Sequence, residues 1–151
     1  MMPDLRIQVV RVGPVVVPLP RYQTDGAAGM DLHAALLEAI ALPPLGRARI
    51  PTGLVFAIPH HFEGQVRPRS GLAARSGVTV LNAPGTIDSD YRGEVAVLLV
   101  NLSDAPVSIA PLERIAQLII APVAHAELVV SPVALEVTVR GAGGYGSTGD
   151  A

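Results

Sequence analysis

The chain contains no cysteine, no tryptophan and no lysine, and only 3% of its 151 residues are aromatic. Without cysteine there is no disulfide, no thiolate nucleophile and no cysteine-ligated metal. With so few rings, any core must be built from Val, Leu, Ile and Ala. All eleven basic residues are arginine, and the net charge of −2 excludes bulk electrostatic attraction to nucleic acid. No segment approaches the ~20 consecutive apolar residues of a membrane span. Residues 1–10 carry Asp4 and Arg6 and lack the apolar stretch of a signal peptide. A cytoplasmic protein is the expectation. What the chain has in quantity is apolar residues, half of the total, with 15 Gly and 14 Pro as punctuation. A substantial core is therefore available, and the length suits one domain.

Pro and Gly recur at short intervals, and the apolar runs between them are brief. Strands are predicted at 6–12, 30–34, 47–50, 53–57, 63–67, 78–81, 95–101, 107–110, 115–121 and 127–130. Short strands at regular spacing indicate an all-β sandwich or barrel. One short helix is predicted at 70–75, capped by Ser70, while 36–40 reads as loop. Residues 95–100 and 118–120 are continuously apolar, the pattern of strands covered on both faces. Either a tight sandwich core or a symmetric oligomer supplies that cover. A β domain over 1–139 and a Gly-rich arm over 140–151 complete the predicted organisation.

The most informative segment is Asn82-Ala-Pro-Gly-Thr-Ile-Asp88-Ser-Asp-Tyr91-Arg-Gly93. It is turn chemistry set between two apolar runs, the signature of a hairpin. It gathers an amide, two carboxylates and a ring, a mixture suited to reading a flat polar base, holding a sugar and activating water. The C-terminal run Arg140-Gly-Ala-Gly-Gly-Tyr145-Gly-Ser147-Thr148-Gly149 opens no helix, so it is not a phosphate loop of the strand–loop–helix kind. Its arginine, ring, hydroxyls and bare amides suit a phosphate chain that also carries a base to stack on. Three more segments matter. Ala28-Gly-Met-Asp31-Leu-His33-Ala34 places a carboxylate inside a strand. Arg67-Pro-Arg69-Ser70-Gly71-Leu-Ala73 sets two arginines and a serine at a helix start, where anions bind. Arg114-Ile-Ala-Gln117-Leu118 projects an amide from an apolar strand.

In this order and spacing the five segments resemble the motifs of the trimeric dUTP diphosphatases, the dUTPases, over residues 28–149. That resemblance implies a jelly-roll subunit with one short helix, assembled as a homotrimer whose three active sites lie at subunit interfaces. It implies hydrolysis of dUTP to dUMP and pyrophosphate, with Mg²⁺ on the triphosphate. Asp88 then matches the general base that activates water for attack at the α-phosphorus. A positioned base contributes ~10²–10⁴-fold, so the rest must come from holding and neutralising the triphosphate. Tyr91 matches the ring under the deoxyribose, and Asn82 the element that reads uracil. Asp31 matches the acid that holds the metal through water. Arg69, Ser70, Gly71 and Gln117 match phosphate contacts. On the arm, Arg140, Ser147 and Thr148 match phosphate contacts, and Tyr145 the ring that covers uracil.

Two positions depart from the family pattern. Tyr145 stands where Phe is usual, which keeps the stacking surface. Leu112 stands where a turn usually has Gly, and a positive φ there would be costly for Leu. His33, His60, His61 and His125 show no paired ligand spacing, and His60 and His61 would face opposite ways on a strand. Asp25, Asp90 and Glu94 are expected to be solvated or structural, Arg75 and Arg92 to lie at the surface, and Arg114 to brace the site. The nearest rival is dCTP deaminase, which shares fold and trimer but carries a glutamate ten residues after the aspartate. This chain has Leu98 there, and an aliphatic side chain cannot activate water. A dUTPase-fold trimer that only binds a regulatory partner is the other alternative; it would not need Asp88, Tyr91 and the arm to be intact.

Overall fold

A computed structural model describes residues 5–144. The described chain forms eleven strands and one helix. They are β1 (Gln8–Arg11), β2 (Met30–His33), β3 (Ile40–Leu42), β4 (Arg47–Pro51), β5 (Leu54–Ala57), β6 (Phe62–Arg67), α1 (Ser70–Ser76), β7 (Val78–Val80), β8 (Gly85–Ile87), β9 (Ala96–Asn101), β10 (Val107–Ile109) and β11 (Arg114–Pro122). Early strands pair with late ones in reverse order: β2 with β11, β3 with β10, β4 with β9. This nested antiparallel winding is a jelly roll. The larger sheets run β2-β11-β6-β8 and β4-β9-β7, with the two-stranded sheets β1-β5 and β3-β10 beside them.

The core is aliphatic, as the scarcity of rings requires. Leu32, Ile50, Leu54, Val66, Val97, Leu99, Ile109 and Leu118, drawn from all four sheets, meet in one buried cluster. Period-2 alternation decides which residues enter it. In β7, Val78 and Val80 are buried and Thr79 between them is not. Among the described residues, the two fully buried polar ones, Asn101 and Thr52, are bonded, as low-dielectric burial demands. Asn101 donates to Leu42 O at 2.9 Å and Ala105 O at 2.8 Å, and its own oxygen accepts from the Ser103 amide at 2.9 Å. Thr52 Oγ1 donates to Val95 O at 2.6 Å.

Several sequence expectations are corrected. Ser70 does not cap α1 but opens it. Arg69 is the residue before the first turn and makes no capping bond, because a guanidinium has no acceptor to offer the free amides; it binds Asp31. Gly77 ends the helix at φ 65°, donating to Ala73 O at 2.9 Å, and its left-handed backbone suits glycine. The strand expected at 127–130 does not form. Leu128, Val129 and Val130 are 93%, 79% and 92% exposed; apolar residues alone do not make a strand without an edge to pair with. Strands β3 and β8 were not anticipated. The latter lies inside the predicted hairpin loop and leaves it to pair with β6, while the flanking β7 and β9 pair as expected.

The turn before β11 has Leu112 at φ 58°, with the Glu113 amide donating to Ala110 O at 3.2 Å. The position does require the left-handed backbone. Leu45 repeats the arrangement at φ 58°, with the Gly46 amide on Pro43 O at 2.8 Å. Both turns put proline immediately before the left-handed leucine, where its fixed φ suits a tight turn.

Candidate active site

Sheet register explains why three of the five segments belong together. On the central strand β11, Gln117 sits opposite Asp31 of β2 on one side and Arg67 of β6 on the other. The chain leaving β6 then turns at Pro68 and delivers Arg69, Ser70 and Gly71 to the same edge. Asp31, Arg69, Ser70, Gly71 and Gln117 line one cleft of about 200 Å³. Asp31 binds two guanidinium groups, Arg69 Nε at 2.8 Å and Arg114 Nη1 at 3.2 Å. Arg69 also donates to Arg114 O at 3.2 Å. Gln117 Nε2 donates to Pro68 O at 2.9 Å.

Gly29 makes this arrangement possible. A side chain there would collide with the Gln117 amide, whose Cδ lies 3.2 Å from an ideal Cβ position. The cleft is thus braced by charge and amide contacts before any ligand arrives. The Ser70 hydroxyl, unused as a cap, remains exposed at its rim.

A second cleft, also about 200 Å³, is lined by Asn82, Gly85, Thr86, Ile87, Asp88 and Tyr91 together with Arg49 and Glu94. Asp88 is exposed and lines a further cavity of about 530 Å³ on its other side. It is open to water between the two. Beneath it the hairpin is fixed mainly through backbone groups. The Tyr91 amide donates to Asp88 O at 3.1 Å, and Tyr91 Oη to Glu94 O at 3.1 Å. Glu94 Oε1 accepts from the Gly53 amide at 2.8 Å, and the Val95 amide donates to Leu54 O at 2.9 Å. Glu94 is therefore structural, as expected, and Arg114 braces Asp31. Arg49 on β4 lines this cleft too; a lone arginine on a strand carries no sequence signal for that placement.

The two clefts share no residue. Asp31 lies on one edge strand of the four-stranded sheet and Asp88 just beyond the other. Three strand spacings along the sheet put them roughly 14 Å apart. Arg140 is exposed and donates to Gly143 O at 2.9 Å, joining neither cleft. Tyr145, Ser147 and Thr148 lie outside the described residues.

His33 flanks the first cleft. Burial pushes its imidazole below its usual 6.5, against the opposing pull of Asp31 and with smaller help from Arg114 and Arg69; its buried Nδ1 has no partner among the described residues. His60 and His61 sit on the turn before β6 rather than on a strand. Their rings lie 4.1 Å apart instead of facing opposite ways, with His125 at 6.0 and 6.3 Å.

The sequence model of the dUTPase family matches residues 16–149. The chain is 63% identical over 137 residues to the deoxyuridine 5′-triphosphate nucleotidohydrolase of Methylocella silvestris, covering 89% of this chain and 85% of that one. It is 59% identical over 133 residues to the enzyme of the same name from Rhizobium leguminosarum, covering 87% and 85%. Among solved structures, the dUTPase of Staphylococcus bacteriophage 80alpha with dUPNHPP superimposes with a TM-score of 0.86 at 26% identity, over 96% of this chain and 99% of that one. Nested jelly-roll winding, the register that gathers Asp31, Gln117 and Arg69, and these likenesses agree: the chain belongs to the dUTPase family.

Proposed function

We propose that the chain hydrolyses dUTP to dUMP and pyrophosphate as a homotrimer, each active site combining the hairpin cleft of one subunit with the phosphate cleft of another. The observation that carries this reading is the separation of the two clefts. One holds the groups for base, sugar and water, the other those for phosphate; they share no lining residue and sit at opposite edges of one sheet, so pairing clefts from two subunits would bring them onto one ligand. The exposed apolar stretch at 128–130 supports assembly as well, since exposure of that kind marks an interaction surface.

In this reading uracil lies against Asn82 and the hairpin backbone, with the deoxyribose on the Tyr91 ring. Asp88 takes a proton from water as its oxygen bonds to the α-phosphorus. The bond from that phosphorus to the α,β-bridging oxygen breaks, and pyrophosphate leaves. Arg69, Ser70, Gly71 and Gln117 hold the phosphate chain, and Arg140, Tyr145, Ser147 and Thr148 close over it from the arm. Preorganised cations offset the charge that develops as the bond breaks.

The donor set suits Mg²⁺ held through water. Among the described residues no three His, Cys, Asp or Glu side chains form a cage. Asp31, the sole carboxylate of the phosphate cleft, already engages a guanidinium with each oxygen. It would accept hydrogen bonds from the ion's water shell, in keeping with the reluctance of Mg²⁺ to dehydrate. Bound there, the ion would neutralise phosphate charge. The product dUMP would supply thymidylate synthesis, and removal of dUTP would limit uracil in DNA, in a cytoplasmic setting. Pyrophosphate release from dUTP, dCTP, dTTP and UTP side by side tests the proposal. Rapid release from dUTP alone is expected; ammonia from dCTP would revive deamination, and no release from dUTP would favour a purely regulatory trimer.

A further inference from the structure

The hairpin ends in Gly93, and its backbone does not explain the glycine. Its φ lies outside the left-handed region, so an L-residue could take the same conformation. The obstacle is Tyr91. A Cβ on residue 93 would fall 2.5 Å from Cζ and 2.9 Å from Cε2 of the ring, and closer still to the phenol oxygen. The phenol end of the ring therefore rests on the bare Cα of Gly93.

The ring is also fixed at its tip, where Oη donates to Glu94 O at 3.1 Å. That carbonyl cannot drift, because Glu94 Oε1 holds the Gly53 amide at 2.8 Å and Val95 is bonded to both Thr52 and Leu54. With 43% of Tyr91 exposed, a methyl group on residue 93 would swing the ring outward into solvent rather than unfold the core. Overpacking is relieved along the softest direction.

We infer that Gly93 is a positioning residue for sugar discrimination: its missing side chain seats the Tyr91 ring at the height where it packs under a 2′-deoxyribose and excludes a 2′-hydroxyl. The inference rests on the reading of Tyr91 as the surface beneath the sugar. Glu94 serves the same end by holding the carbonyl that anchors the phenol.

The test is a double-mutant cycle on the full-length protein with Gly93→Ala, Tyr91→Ala and both, scored by kcat/KM for dUTP and for UTP. Gly93→Ala should lower kcat/KM for dUTP about tenfold and narrow the dUTP/UTP ratio, with the melting temperature unchanged. Added to Tyr91→Ala, it should change neither, because no ring is left to displace. A crystal structure of Gly93→Ala should show the ring moved and the hairpin backbone in place. Equal losses on both backgrounds, or an unmoved ring, would overturn the inference. If Tyr91→Ala keeps the wild-type dUTP/UTP ratio, the sugar reading falls, and the position of the ring in Gly93→Ala still decides whether Gly93 seats it.

Discussion

The two clefts are held together by different physics. The phosphate cleft is braced by side chains: one carboxylate shared by two arginines, and an amide wedged where Gly29 leaves room. The hairpin cleft is braced chiefly by backbone groups, with the segment 52–54 bonded to 94–95 and a single phenol pinned at the end. The difference reflects what each must do. A phosphate cradle has to present cations, and cations near one another need an acid between them. A base and sugar need fixed edges and fixed height, which backbone hydrogen bonds supply here with help from the Thr52 hydroxyl and the Glu94 carboxylate. Substrate positioning should therefore respond to charge changes in the phosphate cleft and to steric changes around the Tyr91 ring, while the chemical step should depend on the one carboxylate of Asp88.

The largest expected effect breaks the hairpin side without disturbing its shape. Asp88→Asn keeps the side chain's outline but removes its basicity, so single-turnover hydrolysis should fall ~10²–10⁴-fold while equilibrium binding of a non-hydrolysable dUTP analogue persists. Retention of more than about a tenth of the rate would reject Asp88 as the base.

Next comes the acid of the other cleft. Asp31→Asn leaves Arg69 and Arg114 facing each other with no carboxylate between them. Asp31 is 14% exposed but Arg114 is 53% exposed, so solvent screening limits the loss to ~1–2 kcal/mol. The effect should appear mainly in KM and should shrink as salt rises, since exposed charges are screened. A salt-independent loss, or one confined to kcat, would contradict charge bracing.

The smallest effect lies outside both clefts. Leu112 pays a left-handed backbone cost of ~1–2 kcal/mol, and Gly there would relieve it, less the greater unfolded-state entropy that glycine brings. Leu112→Gly should raise stability by ~1 kcal/mol or less, seen as a higher denaturant midpoint with kinetics unchanged. A lower midpoint would show that the half-exposed leucine side chain packs better than its backbone suffers.

Most strands were legible in the sequence because apolar runs and Pro/Gly punctuation are local signals. The φ requirement at Leu112 was signalled only through the family resemblance, which puts glycine at that turn position, since Pro111 fits turns of either backbone type. The features that stayed hidden depend on partners distant along the chain. Gly85-Thr86-Ile87 looks like loop until β6 offers it an edge. The apolar run at 127–130 looks like a strand, yet among the described residues it pairs with no edge. Ser70 has the right chemistry for a cap, but the helix begins at Ser70 itself, after Arg69, which reaches Asp31 across 38 positions. The phosphate cleft was readable as a set of residues but not as a cleft, because register alone places Gln117 between Asp31 and Arg67. Arg49 in the hairpin cleft and the seating of Tyr91 on Gly93 carry no sequence signal of comparable strength.

If catalysis needs one cleft from each of two subunits, subunit mixing is the most direct test. Asp88→Asn disables the hairpin cleft, and Arg69→Ala disables the phosphate cleft; each alone should be nearly inactive. Unfolded together in equal amounts and refolded, the two variants should regain about a quarter of wild-type kcat per active site, because random assortment in a symmetric oligomer pairs two intact clefts in that fraction of sites. Activity no greater than the mean of the two separate variants, in a preparation shown to contain mixed oligomers, would mean that both clefts of a site come from the same chain.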